Sequence, residues 1–172
     1  MFPTNREIWK SISCIGNYEV SNFGRVRNAT TLRILKPGNN GHGYSHVVLC
    51  ECGKRKTITV HKLVAQEWLQ NPDNKLCIDH IDSNRANNHV ENLRFATHSE
   101  NNRNAKKTTS TTSSVYKGVY LHKLANKWAA YIDIRGVRTH LGLFKDEREA
   151  ANAYNASAIK HYGEYARLNE VD

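Results

Sequence analysis

The sequence predicts an α+β protein assembled from small modules rather than one large core. Three observations carry this. Only 39% of the 172 residues are hydrophobic, which is modest for a single core of this length. A strand, long polar loop, strand and helix are expected in succession between residues 77 and 104. A second pattern of three strands and a helix follows a stretch of residues 106–114, Lys-Lys-Thr-Thr-Ser-Thr-Thr-Ser-Ser, that has nothing apolar to anchor it.

Taken in order, Tyr18-Glu19-Val20-Ser21 follows a Gly16-Asn17 turn and reads as a short strand, with Asn22-Phe23-Gly24-Arg25-Val26-Arg27 behind it. Tyr44 to Leu49 and Lys56 to Val60 alternate as strands, joined by a hairpin end at Glu51 to Arg55 that contains Gly53. Leu63, Val64, Trp68 and Leu69 fall at helical intervals, and Asn71-Pro72 stops that helix. From Ile78 the chain becomes dense in Asp, His and Asn. Leu93 to Ala96 then forms a strand, and Thr97 with Glu100 gives a capping pattern for the next helix. Beyond the linker, strands are expected at Val115 to Val119, Lys127 to Ile134 and Val137 to Phe144. A closing helix is capped by Asp146 and Glu149 and striped with Ala150, Tyr154, Ala158 and Tyr162. The expected parts are 1–55, 56–105, the linker 106–114 and 115–172.

Charge points to a polyanionic partner. Lys and Arg number 25 against 16 acids, a net charge of +9. The excess is shared: residues 1–105 hold 14 basic and 9 acidic groups, and residues 106–172 hold 11 and 7. Both halves can therefore face one phosphate backbone. No apolar run approaches a membrane span and the N-terminus lacks a signal pattern, so an intracellular, membrane-free protein is expected. Cys14, Cys50, Cys52 and Cys77 show no paired CxxC spacing. That argues against a disulfide framework and a four-cysteine zinc site; zinc is not expected.

One group of residues could do chemistry. Phosphodiester hydrolysis needs an activated water, stabilisation of added negative charge, and a route for the leaving oxygen. A carboxylate and an amide oxygen suit a hard cation such as Mg²⁺, and an imidazole near its ordinary pKa can take the water's proton. Asp79, Asn101 and His80 supply such a set. Neighbours on an ideal strand point to opposite faces, so Asp79 and His80 need a strand end or a twist to serve one site. The loop's asparagines could equally be turn caps.

The run Asp79-His80-Ile81-Asp82-Ser83-Asn84, then Asn87-Asn88, Val90-Glu91-Asn92-Leu93-Arg94 and Ser99-Glu100-Asn101-Asn102-Arg103-Asn104, resembles the HNH homing endonucleases of phage and intron origin. The resemblance implies a ββα-metal (His-Me finger) nuclease binding one Mg²⁺ or Mn²⁺. Asp79 and Asn101 are then the metal ligands, His80 the general base, and Asn92 the brace of its loop. Asn stands where the family's last His is usual; Asn102 and His98 are the competing choices. Asp82 could orient a ligand or cap the loop, and His61 reads as packed or capping. A phage gene would place the protein in the cytoplasm of a bacterial host cell.

The stretch from Trp9 to Arg27 resembles the small DNA-binding motif found beside such nucleases, with Arg25 and Arg27 alternating onto one strand face toward phosphates. Residues 113–169 resemble the DNA-binding domain of plant ethylene-response factors, through Tyr116-Lys117-Gly118-Val119, Lys127 to Ile132, Leu141 to Phe144, Glu149 to Tyr154 and Ala166 to Asn169. In that family a three-stranded sheet enters the major groove with a helix behind it. The resemblance implies DNA contacts from Lys117, Tyr120, His122, Lys127, Trp128, Tyr131, Arg138 and His140. Trp128 could instead be core. Tyr120 stands where the plant domains place Arg, and His140 where they often place Trp, so the plant target sequence does not carry over. Independently, residues 117–140 hold five cations against the single acid Asp133.

The sequence thus predicts a DNA endonuclease with double-stranded DNA as partner. One site per chain implies nicking by a monomer without an obligate protein partner. The alternative is a DNA-binding regulator with a structural loop in place of a nuclease centre.

Overall fold

The computed structural model describes residues 6–107 and 112–171. Residues 108–111 of the expected linker lie outside these. The chain divides into two compact units, Met1–His98 and Ser99–Asp172.

In the first unit, β1 (Trp9–Ser11), β2 (Tyr18–Ser21) and β3 (Val26–Asn28) form one antiparallel sheet. A second sheet joins β4 (Gly38–Asn39), β5 (Ser45–Glu51) and β6 (Lys54–Thr59). The β5–β6 hairpin closes on Cys52 and Gly53, both with positive φ, at 49° and 77°. That primed-turn geometry matches the twist of the strands it joins. α1 (Val60–Trp68) follows, ending before Asn71-Pro72. β7 (Cys77–His80) pairs antiparallel with β8 (Leu93–Ala96), and between them runs a polar loop with a single 3₁₀ turn at Val90–Asn92.

The sequence divides this region at residue 55, but the structure gives it a shared core. Val20 and Val26 of the first sheet, Val47 and Leu49 of β5, Leu63 and Trp68 of α1, and Val90 and Leu93 at the loop's end belong to one buried cluster. Trp68 Nε1 also donates to the Val20 carbonyl at 3.3 Å. Each part thus contributes to the burial of the other's apolar side chains.

α2 (His98–Asn104) spans the division, and the second unit then folds as β9 (Val119–His122), β10 (Lys127–Ile134), β11 (Val137–Phe144) and α3 (Glu147–Tyr162). The sheet order is β11-β10-β9, all antiparallel. Asp146 caps α3, its carboxylate accepting from the Arg148 and Glu149 amides. Ala150, Ala151, Tyr154, Ala158 and Tyr162 are buried against the sheet. The alanines let helix and strands approach closely.

One expectation is corrected here. The first strand of this sheet is Val119–His122, not Val115–Val119. The Lys107 ammonium gathers the carbonyls of Ser114, Tyr116 and Val119 at 2.9, 2.6 and 3.1 Å, which bends that segment away from a ladder and leaves Val115 73% exposed. The compact division also falls ahead of the linker, at His98/Ser99. Part of the reason is that the Lys117 ammonium ties the carbonyls of Arg103 and Ala105 to the second unit.

Candidate functional site

Asp79 and His80 end β7, both buried at 4% and 5% exposure. Their cross-strand partners are Arg94 and Leu93. Arg94 holds Asp79 through two bonds to Oδ2, from Nε at 2.9 Å and a terminal nitrogen at 2.7 Å. The two bonds fix the direction in which the carboxylate points.

His80 enters a ring cluster. Its centroid lies 5.2 Å from His61, edge-on, and 6.0 Å from Tyr44, while Tyr44 and His61 are 5.0 Å apart. Arg85 stacks on Tyr44 at 4.9 Å. Burial lowers the His80 pKa below its ordinary value, against the Asn88 hydrogen bond and the charges of Asp82 and Asp79, which raise it. Burial takes His61 down to about 4, with His80 and Lys62 adding to the effect. The buried His61 Nδ1 has no hydrogen-bond partner, so a neutral ring is the form this pocket tolerates.

The tautomer of His80 follows from its neighbour. Asn88 Nδ2 donates to the Ala86 carbonyl at 3.1 Å, which turns Asn88 Oδ1 toward His80 Nε2 at 3.4 Å. Oδ1 can only accept, so this contact is a hydrogen bond in the Nε2-protonated tautomer, which leaves Nδ1 as the basic nitrogen of that form.

Asn92 stitches the loop. Its Nδ2 donates to Asp82 Oδ1 at 2.9 Å and to the Asn87 carbonyl at 2.8 Å, and its Oδ1 accepts from the Asp82 amide at 3.0 Å. Its own carbonyl takes the Ile81 amide at 2.9 Å. Asp82 also binds the Asn84 amide and Asn87. Burial pushes the Asp82 pKa up, but the bonds from Asn87, Asn84 and Asn92 outweigh it and hold the carboxyl below its ordinary range. Several asparagines are therefore caps, as turn chemistry allows, and they are caps directly behind the imidazole.

Asn101 lies half-buried on α2, within the second unit. His98, one competitor for its role, places Nδ1 3.2 Å from the Cys77 thiol. Asn102, the other, lines a cavity of about 340 Å³ with Arg103, Lys117 and Tyr162. Among the described residues no group of three or more His, Cys, Asp and Glu is placed to hold a metal. The donor set read from the sequence is of another kind, a carboxylate and an amide oxygen.

The sheet of the second unit has one covered and one open face. Strand pairs His122↔Lys127, Tyr120↔Ala129, Tyr131↔His140 and Asp133↔Arg138 share the open face. There Tyr120 and Tyr131 lie 5.5 Å apart and Arg138 stacks on Tyr131 at 4.4 Å. Six expected contact residues, Tyr120, His122, Lys127, Tyr131, Arg138 and His140, are thus presented together. Two are not. Trp128 points the other way, packing into the cluster of Val119, Ala130, Ala150 and Ala151. Lys117 caps the carbonyls of Arg103 and Ala105, and burial, with Arg167 nearby, lowers its pKa to about 8.

Arg25 and Arg27 are also less free than alternation implies. Both stack over Trp9, at 5.7 and 4.1 Å. Arg25 is ion-paired with Glu7, and Arg27 Nε meets Glu19 Oε2 at 2.6 Å. Sequence reasoning gave no role to Tyr44, Arg85 or Asn88, although Asn88 lay within the motif and Arg85 is a lone cation inside the Asn-rich loop; His61, read as packed or capping, is packed against Tyr44 and His80.

Comparison with known proteins fits this geometry. Residues 60–103 match the HNH endonuclease family and residues 7–50 match the NUMOD4 motif. The DNA endonuclease I-HmuI of Bacillus phage SP01 is 35% identical over 120 residues, 69% of this chain and 68% of that protein. The chain belongs to the HNH endonuclease family. A solved structure of the HNH homing endonuclease I-HmuI superposes with a TM-score of 0.54 and 26% identity, covering 90% of this chain and 91% of that one. An uncharacterized HNH endonuclease of Acanthamoeba polyphaga mimivirus is 37% identical over 87 residues, and this chain spans 26% of its length; for a second mimivirus relative, 42% identical, the share is 24%. The HNH match runs through α2, so Asn101 belongs to the matched segment. A dehydration-responsive element-binding protein of Arabidopsis thaliana is 48% identical over 59 residues, 33% of this chain.

Proposed function

We propose that this HNH-family chain is a site-recognising DNA endonuclease, of the homing-endonuclease kind, that hydrolyses one phosphodiester with His80 as general base. The observation that carries the reading is the buried imidazole at the end of β7, its Nε2 facing Asn88 Oδ1 and backed by the loop that Asn92 stitches. His80 Nδ1 would take a proton from water as the water oxygen bonds to phosphorus and the bond to the leaving oxygen breaks. That oxygen then departs with a proton from solvent. Lowered basicity keeps the imidazole unprotonated near neutral pH, the form a base needs.

Dependence on a divalent metal is general in this family. The carboxylate of Asp79 and the amide oxygen of Asn101 are hard donors that suit Mg²⁺ or Mn²⁺, and would hold it. When bound, such an ion supplies charge neutralisation at the phosphate and the leaving oxygen. Arg94 orients Asp79 for this role.

Double-stranded DNA would be held by the open sheet face, through Tyr120, His122, Lys127, Tyr131, Arg138 and His140, on the analogy of the Arabidopsis relatives. Arg25 and Arg27 would reach phosphate only by exchanging their carboxylate partners. One base per chain supports a monomer that nicks. No helix among the described residues is long and apolar enough to cross a membrane, and the phage relatives support action on DNA in the cytoplasm of a bacterial host.

Supercoiled plasmid incubated with protein and Mg²⁺ tests this. We expect open-circular product from the wild type, and a loss of about 10³-fold or more in rate for His80→Ala and for Asp79→Ala. Binding without metal-dependent nicking would favour the regulator instead.

A further inference from the structure

The N-terminal motif does something in this fold that its charge does not announce. Its Asn22-Phe23-Gly24 turn is seated on the Asn88-His89-Val90 segment, residue against residue. The Asn22 carbonyl accepts the Val90 amide at 2.8 Å. The Phe23 ring lies 5.0 Å from the His89 ring. Gly24, with φ at 79°, comes so near Asn88 that a Cβ on it would sit 2.7 Å from Asn88 Cβ and 2.8 Å from its carbonyl oxygen. The turn is itself fixed. Asn22 is 1% exposed, its Oδ1 accepts the Ile8 amide at 2.8 Å and its Nδ2 donates to the Arg6 carbonyl at 3.2 Å. Asn88 in turn is the residue whose Oδ1 meets His80 Nε2.

This is a chain of contacts from the first sheet to the imidazole. The motif's two arginines are occupied by Glu7 and Glu19, whereas each residue of its turn touches the loop beside the base. We propose that the Asn22-Phe23-Gly24 turn supports the nuclease loop, and that Gly24 and Asn88 are positioning residues which hold His80 in its Nε2-protonated form. The inference rests on His80 being the base. It gives the absence of a side chain at position 24 a reason: both the positive φ and the close approach exclude a Cβ, and the approach is to Asn88 in particular.

The test uses the full chain carrying Gly24→Ala, Asn88→Ala or Asn88→Asp. For the two alanine variants we expect kcat for nicking an intact duplex substrate to fall about tenfold or more, with KM and DNA dissociation constant within about twofold of wild type. The second readout needs neither metal nor turnover. Long-range ¹H–¹⁵N spectra of the imidazoles at neutral pH should show one Nε2-protonated form for His80 in the wild type and a tautomer mixture in both alanine variants. Asn88→Asp keeps an acceptor facing Nε2 and should restore the single form. If Gly24→Ala lowers the melting temperature steeply, Asn88→Ala, which leaves the turn's backbone untouched, decides the matter. Weakened DNA binding with unchanged kcat and an unchanged His80 spectrum would overturn the proposal, and assign the turn to DNA reading. Wild-type protein that fails to nick would sink the nuclease reading, but the tautomer spectra would still decide this one.

Discussion

The loop behind β7 and the open face of the C-terminal sheet are both polar but are built in opposite ways. In the loop, Asn92 alone makes four hydrogen bonds within the segment Ile81 to Asn87, and the imidazole it backs is buried. On the sheet, Tyr120 is exposed at 39% and Arg138 is held only by stacking on Tyr131 and an exposed pair with Asp133. Such an exposed pair contributes little. Chemistry at one atom demands that the atom be placed by several partners at once. Grip on a long polyanion can be shared among many groups, each replaceable. Single changes in the loop should therefore be severe in rate, and single changes on the face mild in affinity.

Asn92→Ala presses hardest on that contrast. It strips the Asp82 amide, the Asp82 carboxylate and the Asn87 carbonyl of partners at once. We expect kcat to fall about 10²-fold, with a loss of about 1–3 kcal/mol in stability from groups left unsatisfied. DNA affinity should hold within about twofold. Steady-state kinetics beside filter binding measures both. A variant that loses affinity and keeps kcat would erase the distinction between the two regions.

Acid tests the loop region next. His61 has its pKa lowered from 6.5 to about 4 by burial, so the folded state resists a proton that the unfolded chain accepts. Its contribution is present in full above pH 6.5 and is lost as pH falls from there toward 4. His80, lowered for the same reason, acts in the same direction. Urea melts at pH 7 and pH 4.5 should show the wild type losing about 2 kcal/mol more than His61→Phe, which keeps a ring against Tyr44 and removes the titrating nitrogens. Equal losses would mean that the His61 pocket opens to water. The same sign governs turnover: a base with lowered pKa keeps its active form into mild acid, so the acidic limb of kcat should lie below pH 6.5.

What could be read beforehand depended on the range of the interaction. Local chemistry was legible. The Glu51–Arg55 hairpin, the Asp146 cap, the Lys127–Ile134 strand and the alanine stripe of α3 are decided by residues within a turn or two of one another. Pairings across the fold were not. Alternation put Arg25 and Arg27 on one face, but nothing local said that Glu7 and Glu19 would meet them. Period two on β10 separated Trp128 from Tyr131 without saying which face α3 would cover. His80 stood out through its motif, but its contact with His61, 19 positions earlier, did not, because only the packing of α1 against the strands brings the rings together. Lys117 was misread for a related reason. A lysine among basic residues looks like a phosphate contact until carbonyls from α2 converge on it.

The sheet face gives the smallest expected effect, and its sign pattern matters more than its size. Tyr131→Ala and Lys127→Ala should each weaken duplex binding only about three- to tenfold, and Lys127→Ala should also reduce the slope of log affinity against log salt by about 1. Trp128→Ala, one position along the strand from Lys127, should do something different in kind. Trp128 packs into the cluster of Val119, Ala130, Ala150 and Ala151, so its removal costs folding free energy, about 3 kcal/mol or more. It should weaken binding only through the fraction unfolded. Measured at low temperature, where that fraction is small, Trp128→Ala should bind almost as wild type while melting early, and Tyr131→Ala should melt normally while binding less well. If Trp128→Ala instead lost affinity at a temperature where it is fully folded, the covered face would be taking part in recognition. The division between a packed face and a reading face, on which the contrast with the loop depends, would then have to be redrawn.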